Sequence, residues 1–178
     1  MIHAFALFFG KRRAFLACGM LLVETKYFGT LSCPEESVFD FPIGLPAFEE
    51  EKRFVPIELP QYAPLIFLQS LRQRELCFLT LPILVVASDY HLAVTREDLE
   101  ILALDSARQP MLGADVLVLA LVSLRDGFLA TANLMAPLVV NLKTRRAIQA
   151  IRADSLYSHQ HPIPPPKSKT ELSKEEAC

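Results

Sequence analysis

The stretch ATANLMAPLVVN (residues 130–141) decides the fold of this chain, because polar residues interrupt an otherwise apolar run. The polar positions are Thr131, Asn133 and Asn141, and Pro137 lies between the two asparagines. Asparagine side chains often hydrogen-bond to nearby backbone groups in turns. The pattern therefore predicts a strand, a turn and a second strand. We expect both asparagines either to satisfy turn backbone or to contact a partner.

Short extended segments separated by turn residues occupy most of the remaining chain. Residues 116–123 form a nearly continuous apolar run, which predicts a strand that is buried on both faces. Many short strands with regular turn signals favour an antiparallel barrel or sandwich. The other predicted strands are residues 21–27, 30–33, 38–41, 54–57, 65–69, 76–81, 91–94, 128–132, 138–141 and 147–151.

Helical signals are few. Thr95 is followed three residues later by Asp98, which predicts a short helix with Thr95 as its N-cap. Pro46 would suit an early helical position, so we expect a single helical turn over residues 47–52.

The two ends of the chain differ in composition from its middle. Residues 1–20 place a short apolar stretch before their basic residues, which is the reverse of a signal peptide. We expect an N-terminal extension over residues 1–20, one domain over residues 21–158, and a flexible Pro/Lys/Glu-rich tail over residues 159–178. A translation start near Met20 and an amphipathic membrane anchor are alternative explanations of the extension.

Charge and cysteine content narrow the class of protein. Residues 21–158 contain 12 Lys or Arg and 17 Asp or Glu, a net charge of −5. Direct nucleic-acid binding is not expected from this balance, because it needs clustered cations. No apolar run approaches the ~20 residues of a membrane span. Four cysteines without paired spacing predict reduced thiols in the cytoplasm.

The sequence contains few groups that could perform catalysis. It has no glycine-rich phosphate loop, no Gly-x-Ser-x-Gly elbow and no two-histidine zinc motif, so we expect no enzyme, no cofactor and no metal. The strongest charged cluster is Glu49, Glu50 and Glu51, which either contacts a basic partner or forms a solvated turn. Asp89 and Glu97 present the same two alternatives.

Several segments resemble, in order and spacing, the FliW family of flagellar assembly factors, over about residues 21–162. Ala47 stands where the family usually has glycine, and Leu81 precedes Pro82 where the family often has aspartate. The similar segments are ETKYFGTL (24–31), FPIGLPAFEEEKRF (41–54), PLIFLQSL (64–71), DYHLAVTREDLE (89–100), ATANLMAPLVVNLKTRRAIQAI (130–151) and DSLYSHQH (154–161).

The resemblance implies a mainly β protein, a small antiparallel β-barrel with one or two short helices. It further implies a regulator that binds the translational repressor CsrA and relieves its repression of flagellin messenger RNA. Such a protein also binds flagellin, in the manner of a chaperone, and binds neither nucleic acid nor membrane directly. A membrane-associated adaptor that uses residues 1–20, or a divergent non-flagellar paralogue, is the alternative.

Overall fold

The computed structural model describes residues 19–151 and 156–164. Residues 1–18 and 165–178 lie outside the described residues, and with them most of the predicted N-terminal extension and tail. The described elements are β1 (Met20–Thr25), β2 (Gly29–Pro34), β3 (Phe39–Asp40), β4 (Arg53–Glu58), β5 (Ile66–Ser70), β6 (Cys77–Pro82), α1 (Ile83–Val86), α2 (Arg96–Ile101), β7 (Val116–Ser123), β8 (Thr131–Asn141), β9 (Ala147–Gln149) and β10 (His161–Pro162).

Eight of the described strands form one antiparallel sheet that closes almost completely on itself, while β1 and β2 form a separate two-stranded sheet. The order of the larger sheet is β10-β8-β7-β6-β5-β4-β3, with β9 also paired to β8. Asp40 of β3 forms a parallel bridge with Arg146, just before β9. The Asp40 N–H also donates to the Arg145 carbonyl at 2.9 Å. This contact joins the two sides of the sheet, so the predicted small antiparallel barrel with short helices is confirmed.

Strand β7 separates two apolar cores. Leu117, Leu119 and Leu121 pack in the cluster inside the barrel. Val116, Val118 and Ala120 pack in an outer cluster that α1, α2 and their flanking loops cover. Because side chains alternate between the two faces of a strand, a strand with a core on each side must be apolar at nearly every position. The predicted burial of this strand on both faces is confirmed.

A third apolar cluster covers another part of the barrel wall. The β1–β2 hairpin packs Val23, Leu31 and Cys33 against Val55 and Ile57 of β4. Cys33 and Cys77 are free thiols. Burial raises the pKa of the Cys77 thiol to about 11 and also raises the pKa of Cys33. Burial therefore favours the protonated form of both thiols.

Strand β8 differs from the predicted strand, turn and strand. It is one strand whose pairing with β7 changes register. Leu119 of β7 pairs with Leu138, but Leu121, only two residues later, pairs with Asn133. Residues 134–137 therefore bulge out opposite Ala120. The Asn133 Oδ1 accepts the N–H groups of two bulge residues, Met135 at 3.1 Å and Ala136 at 3.0 Å. Asn133 therefore makes the side-chain-to-backbone hydrogen bonds that were predicted for a turn, but it makes them at a bulge within a strand.

Three further local predictions have different outcomes. Thr95 caps α2 as predicted, since its hydroxyl accepts the Asp98 N–H at 3.1 Å. Residues 47–52 contain no helical turn, because a bridge between Leu45 and Phe48 closes the chain into tight turns instead. Residues 91–94 are not a strand. The backbone of Val94 pairs there with a side chain and not with a strand. The Gln109 amide accepts the Val94 N–H and donates to the Val94 carbonyl, each at 2.9 Å.

Strand pairing continues beyond the predicted domain boundary at residue 158. His161 pairs with Ala132, and Pro162 pairs with Thr131. A proline can occupy such an edge position because its missing N–H faces away from the ladder. Paired structure therefore extends past residue 158, since a proline-rich composition does not exclude a short paired strand.

Asn141 should be a determinant of stability. Its side chain is buried, its Nδ2 donates to the Leu102 carbonyl at 2.8 Å, and its Oδ1 accepts the Lys143 N–H at 2.8 Å and the Thr144 N–H at 3.2 Å. Asn141→Leu should lower the free energy of unfolding by about 1–3 kcal/mol, because it leaves buried backbone groups unpaired. The urea midpoint measures this loss. The exposed neighbour variant Lys143→Ala is the control, and equal midpoints for the two variants would contradict the assignment.

Candidate protein-interaction surfaces

The structure does not gather the seven predicted site residues into one place. Glu49, Glu50 and Glu51 lie between β3 and β4, Asp89 follows α1, and Glu97 lies in α2. Asn133 lies next to the bulge of β8, and Asn141 lies at the end of that strand. Each group therefore has to be judged by its own environment.

Residues 42–50, here called the acidic turn, have a fixed backbone. Gly44 has a φ of 74°. A Cβ at this position would overlap the Glu49 carbonyl group. Ala47 has a φ of 67°, in the left-handed region that favours glycine. The Glu49 Oε1 accepts the Ala47 N–H at 3.0 Å. This bond helps to hold Ala47 in the left-handed conformation, which costs an alanine about 1–2 kcal/mol.

Glu51 does not belong to the surface of the acidic turn. It is 1% exposed. Its Oε2 accepts the Ser70 hydroxyl at 2.5 Å, and its Oε1 accepts the Gln73 amide at 2.6 Å. These bonds tie the segment before β4 to the turn after β5. In this structure Glu51 therefore presents no exposed carboxylate to a partner, because its side chain is buried and already accepts two hydrogen bonds.

The remaining surface of the acidic turn combines two glutamates with two apolar side chains. Glu50 pairs with Arg72 at 3.4 Å, and both side chains are mostly exposed, so the pair adds little stability. Ile43 and Phe48 are 52% and 37% exposed. The Phe48 ring packs edge-on against Phe78 of β6, with ring centres 5.3 Å apart. The acidic turn thus presents apolar area and negative charge on a fixed support.

Asp89 and Glu97 are solvent-exposed. Glu97 lies in the first turn of α2, where a negative charge is favourable beside the positive end of the helix dipole. This local role accounts for Glu97 without a partner. Asn141 is buried, and its side-chain oxygen accepts backbone N–H groups of the turn that follows β8. Asn133 satisfies the bulge, but it also lines a surface groove.

This groove is an open depression of about 630 Å³ between the β7–β8 loop, the strands that flank it and β10. The sequence did not predict it, because residues 128–132 suggested a strand. Phe128 and Leu129 instead stand out from the loop and are 78% and 62% exposed. Their exposure is the signal of a binding surface. The groove is lined by Leu121, Ser123, Arg125, Gly127, Phe128, Leu129, Thr131, Asn133, His159, Gln160 and Pro162.

Two other kinds of site were sought in residues 19–151 and 156–164. Nowhere in these ranges do three His, Cys, Asp or Glu side chains come together in a group that could hold a metal ion. Over the same ranges, none of the helices has the length and apolar character needed to cross a membrane.

Comparison with known proteins places the chain in a family. The family model described as FliW protein matches residues 22–163. The flagellar assembly factor FliW of Bacillus subtilis (strain 168) is 33% identical over 144 residues, which are 80% of this chain and 96% of the relative. The protein of the same name from Bacillus licheniformis is 36% identical over 144 residues, with the same two coverages.

The fold agrees with this placement. A crystal structure described as that of the flagellar assembly factor FliW superimposes with a TM-score of 0.70 and 30% sequence identity. The match covers 83% of this chain and 99% of that chain. The chain belongs to the FliW family, and the resemblance noted in its sequence is confirmed.

The two neighbouring glutamates should respond differently to neutralisation. Glu51→Gln should lower the free energy of unfolding by about 1–3 kcal/mol, because a buried carboxylate that accepts two hydrogen bonds is replaced by an amide with one acceptor. Glu50→Gln removes only an exposed ion pair and should cost about 0–1 kcal/mol. Chemical denaturation of both variants tests the difference. A larger loss for Glu50→Gln would mean that Glu51 is not the structural residue.

Proposed function

We propose that this protein is a flagellar assembly factor that antagonises the translational repressor CsrA and also binds flagellin. Membership of the FliW family over residues 22–163 is the observation that supports this function. The relatives that carry the name match along nearly their whole length, so the proposal concerns a complete family domain. Binding of CsrA would relieve its repression of flagellin messenger RNA.

The acidic turn is the surface that we assign to CsrA. A protein that binds RNA presents clustered cations to the phosphate backbone. Glu49 and Glu50 offer complementary charge, and Ile43 and Phe48 beside them offer apolar area. The fixed backbone of the turn limits the entropy that would be lost on binding. Binding would occupy cationic groups on CsrA that RNA otherwise uses, or change their arrangement.

The proposed activity is binding in the cytoplasm, without catalysis and without direct contact to nucleic acid or membrane. A net charge of −5 over residues 21–158 opposes binding to RNA itself. Flagellin would compete with CsrA for this protein. Free flagellin would then sequester the factor, release CsrA and reduce further flagellin synthesis, which couples the amount of flagellin to its translation.

Flagellin and CsrA should exclude one another. Each standard interface takes roughly 800 Å² from each partner, so two partners that bind neighbouring strands of one small barrel would collide. By linkage, the factor by which flagellin weakens CsrA binding must equal the factor by which CsrA weakens flagellin binding. Calorimetric titration of purified flagellin into the preformed complex, followed by the reverse titration, measures both factors. A stable ternary complex with additive binding heats would contradict the proposal and make this protein a scaffold.

A further inference from the structure

The groove is lined by basic side chains, whereas the domain as a whole is net negative. Its lining contains Arg125 and His159 but no Asp or Glu, although residues 21–158 carry a net charge of −5. Asp126 lies in the same loop but is not part of the lining. Within the described residues, neither Arg125 nor His159 forms an ion pair. A permanent cation is therefore available on an apolar wall.

The other polar groups of the lining can each donate a hydrogen bond, although the hydroxyls and the Gln160 amide can also accept one. Asn133 lines the groove, and its Oδ1 is already occupied by two backbone N–H groups of the bulge. The amide can therefore offer only its Nδ2, which is a donor. Arg125 and Gln160 also provide N–H donors, and Ser123 and Thr131 provide hydroxyl groups. This set of groups suits an acceptor with negative charge, above all a carboxylate.

The apolar part of the lining gives the groove its contact area. Leu121, Phe128, Leu129 and Pro162 contribute it. The exposed side chains of Phe128 and Leu129 would be covered by a bound chain. Aromatic side chains and arginine are enriched among the residues that dominate protein–protein binding energy. The groove combines both types at one place.

We infer that the groove binds an apolar protein segment that carries a carboxylate, and that this segment belongs to flagellin. The second part rests on the proposed function. Of the two proposed partners, CsrA must be cationic where it binds RNA, and a cationic surface would bury Arg125 without a counter-charge. Flagellin is the partner that remains for the groove.

The position of the groove also supplies a physical cause for mutual exclusion. Phe48 of the acidic turn packs on Phe78 of β6. Two residues further along β6, Thr80 pairs with Leu121, which lines the groove. Diagonal neighbours on adjacent strands lie roughly 7–8 Å apart, so one strand separates the two surfaces. Partners that each need roughly 800 Å² would collide there.

The test uses the full chain with two groove variants, Phe128→Ser and Arg125→Glu, and two matched controls. Leu22→Ser is the apolar control, because Leu22 is 78% exposed, as is Phe128. Lys143→Glu is the control for charge reversal. Calorimetry with purified flagellin should show at least about a tenfold loss of affinity for each groove variant and less than about a twofold change for each control. Arg125→Lys should retain most of the affinity if charge is what matters.

The same variants are titrated with purified CsrA, which should bind all of them with less than about a twofold change. The double variant Glu49→Lys with Glu50→Lys should show the reverse pattern, with weaker CsrA binding and unchanged flagellin binding. Flagellin that binds the groove variants as tightly as the unmodified protein would overturn the inference and leave the proposed function standing. Flagellin that fails to bind the unmodified protein would overturn both. Thermal midpoints confirm that each variant is folded.

Discussion

The rest of the structure depends on the hydrogen bonding of β8. This strand pairs with β7, β9 and β10, so it connects the barrel wall to the C-terminal segment. Its bulge then serves other parts of the fold. The Leu134 N–H donates to the Ser158 carbonyl at 3.0 Å, and the Leu134 carbonyl accepts the Tyr90 hydroxyl at 3.1 Å. Backbone groups that leave the ladder thus find new partners, as buried polar groups must. One irregularity thereby fixes both the outer layer and the chain after residue 156.

The bulge also positions the groove. Regular pairing with β7 resumes at Asn133, and the groove lies beside the residues where that short ladder and β10 meet. Because the bulge uses the Asn133 Oδ1, it determines which end of that amide remains for a ligand. The acidic turn lies against β6, where the ring of Phe48 contacts the ring of Phe78. Two surfaces of opposite charge therefore lie beside neighbouring strands of one sheet.

Local patterns predicted the parts of this fold that depend on local interactions. The apolar run of β7 and the Thr95 cap of α2 were recognisable, because burial on two faces and capping each leave a short-range signature. The bulge and the burial of Glu51 were not, because both depend on partners distant along the chain, such as Ser70 for Glu51. The groove was missed for the same reason. Phe128 and Leu129 have the composition of a strand, and only the tertiary structure shows that they are exposed.

If two adjacent surfaces bind the two proposed partners, each partner should protect a different part of the chain. Hydrogen–deuterium exchange of the full chain, alone and in separate complexes with purified flagellin and purified CsrA, measures this protection. Flagellin should slow amide exchange in residues 124–133 and 158–163, while CsrA should slow it in residues 42–50. Protection of the same residues by both partners, or protection by flagellin only outside the groove, would contradict the account.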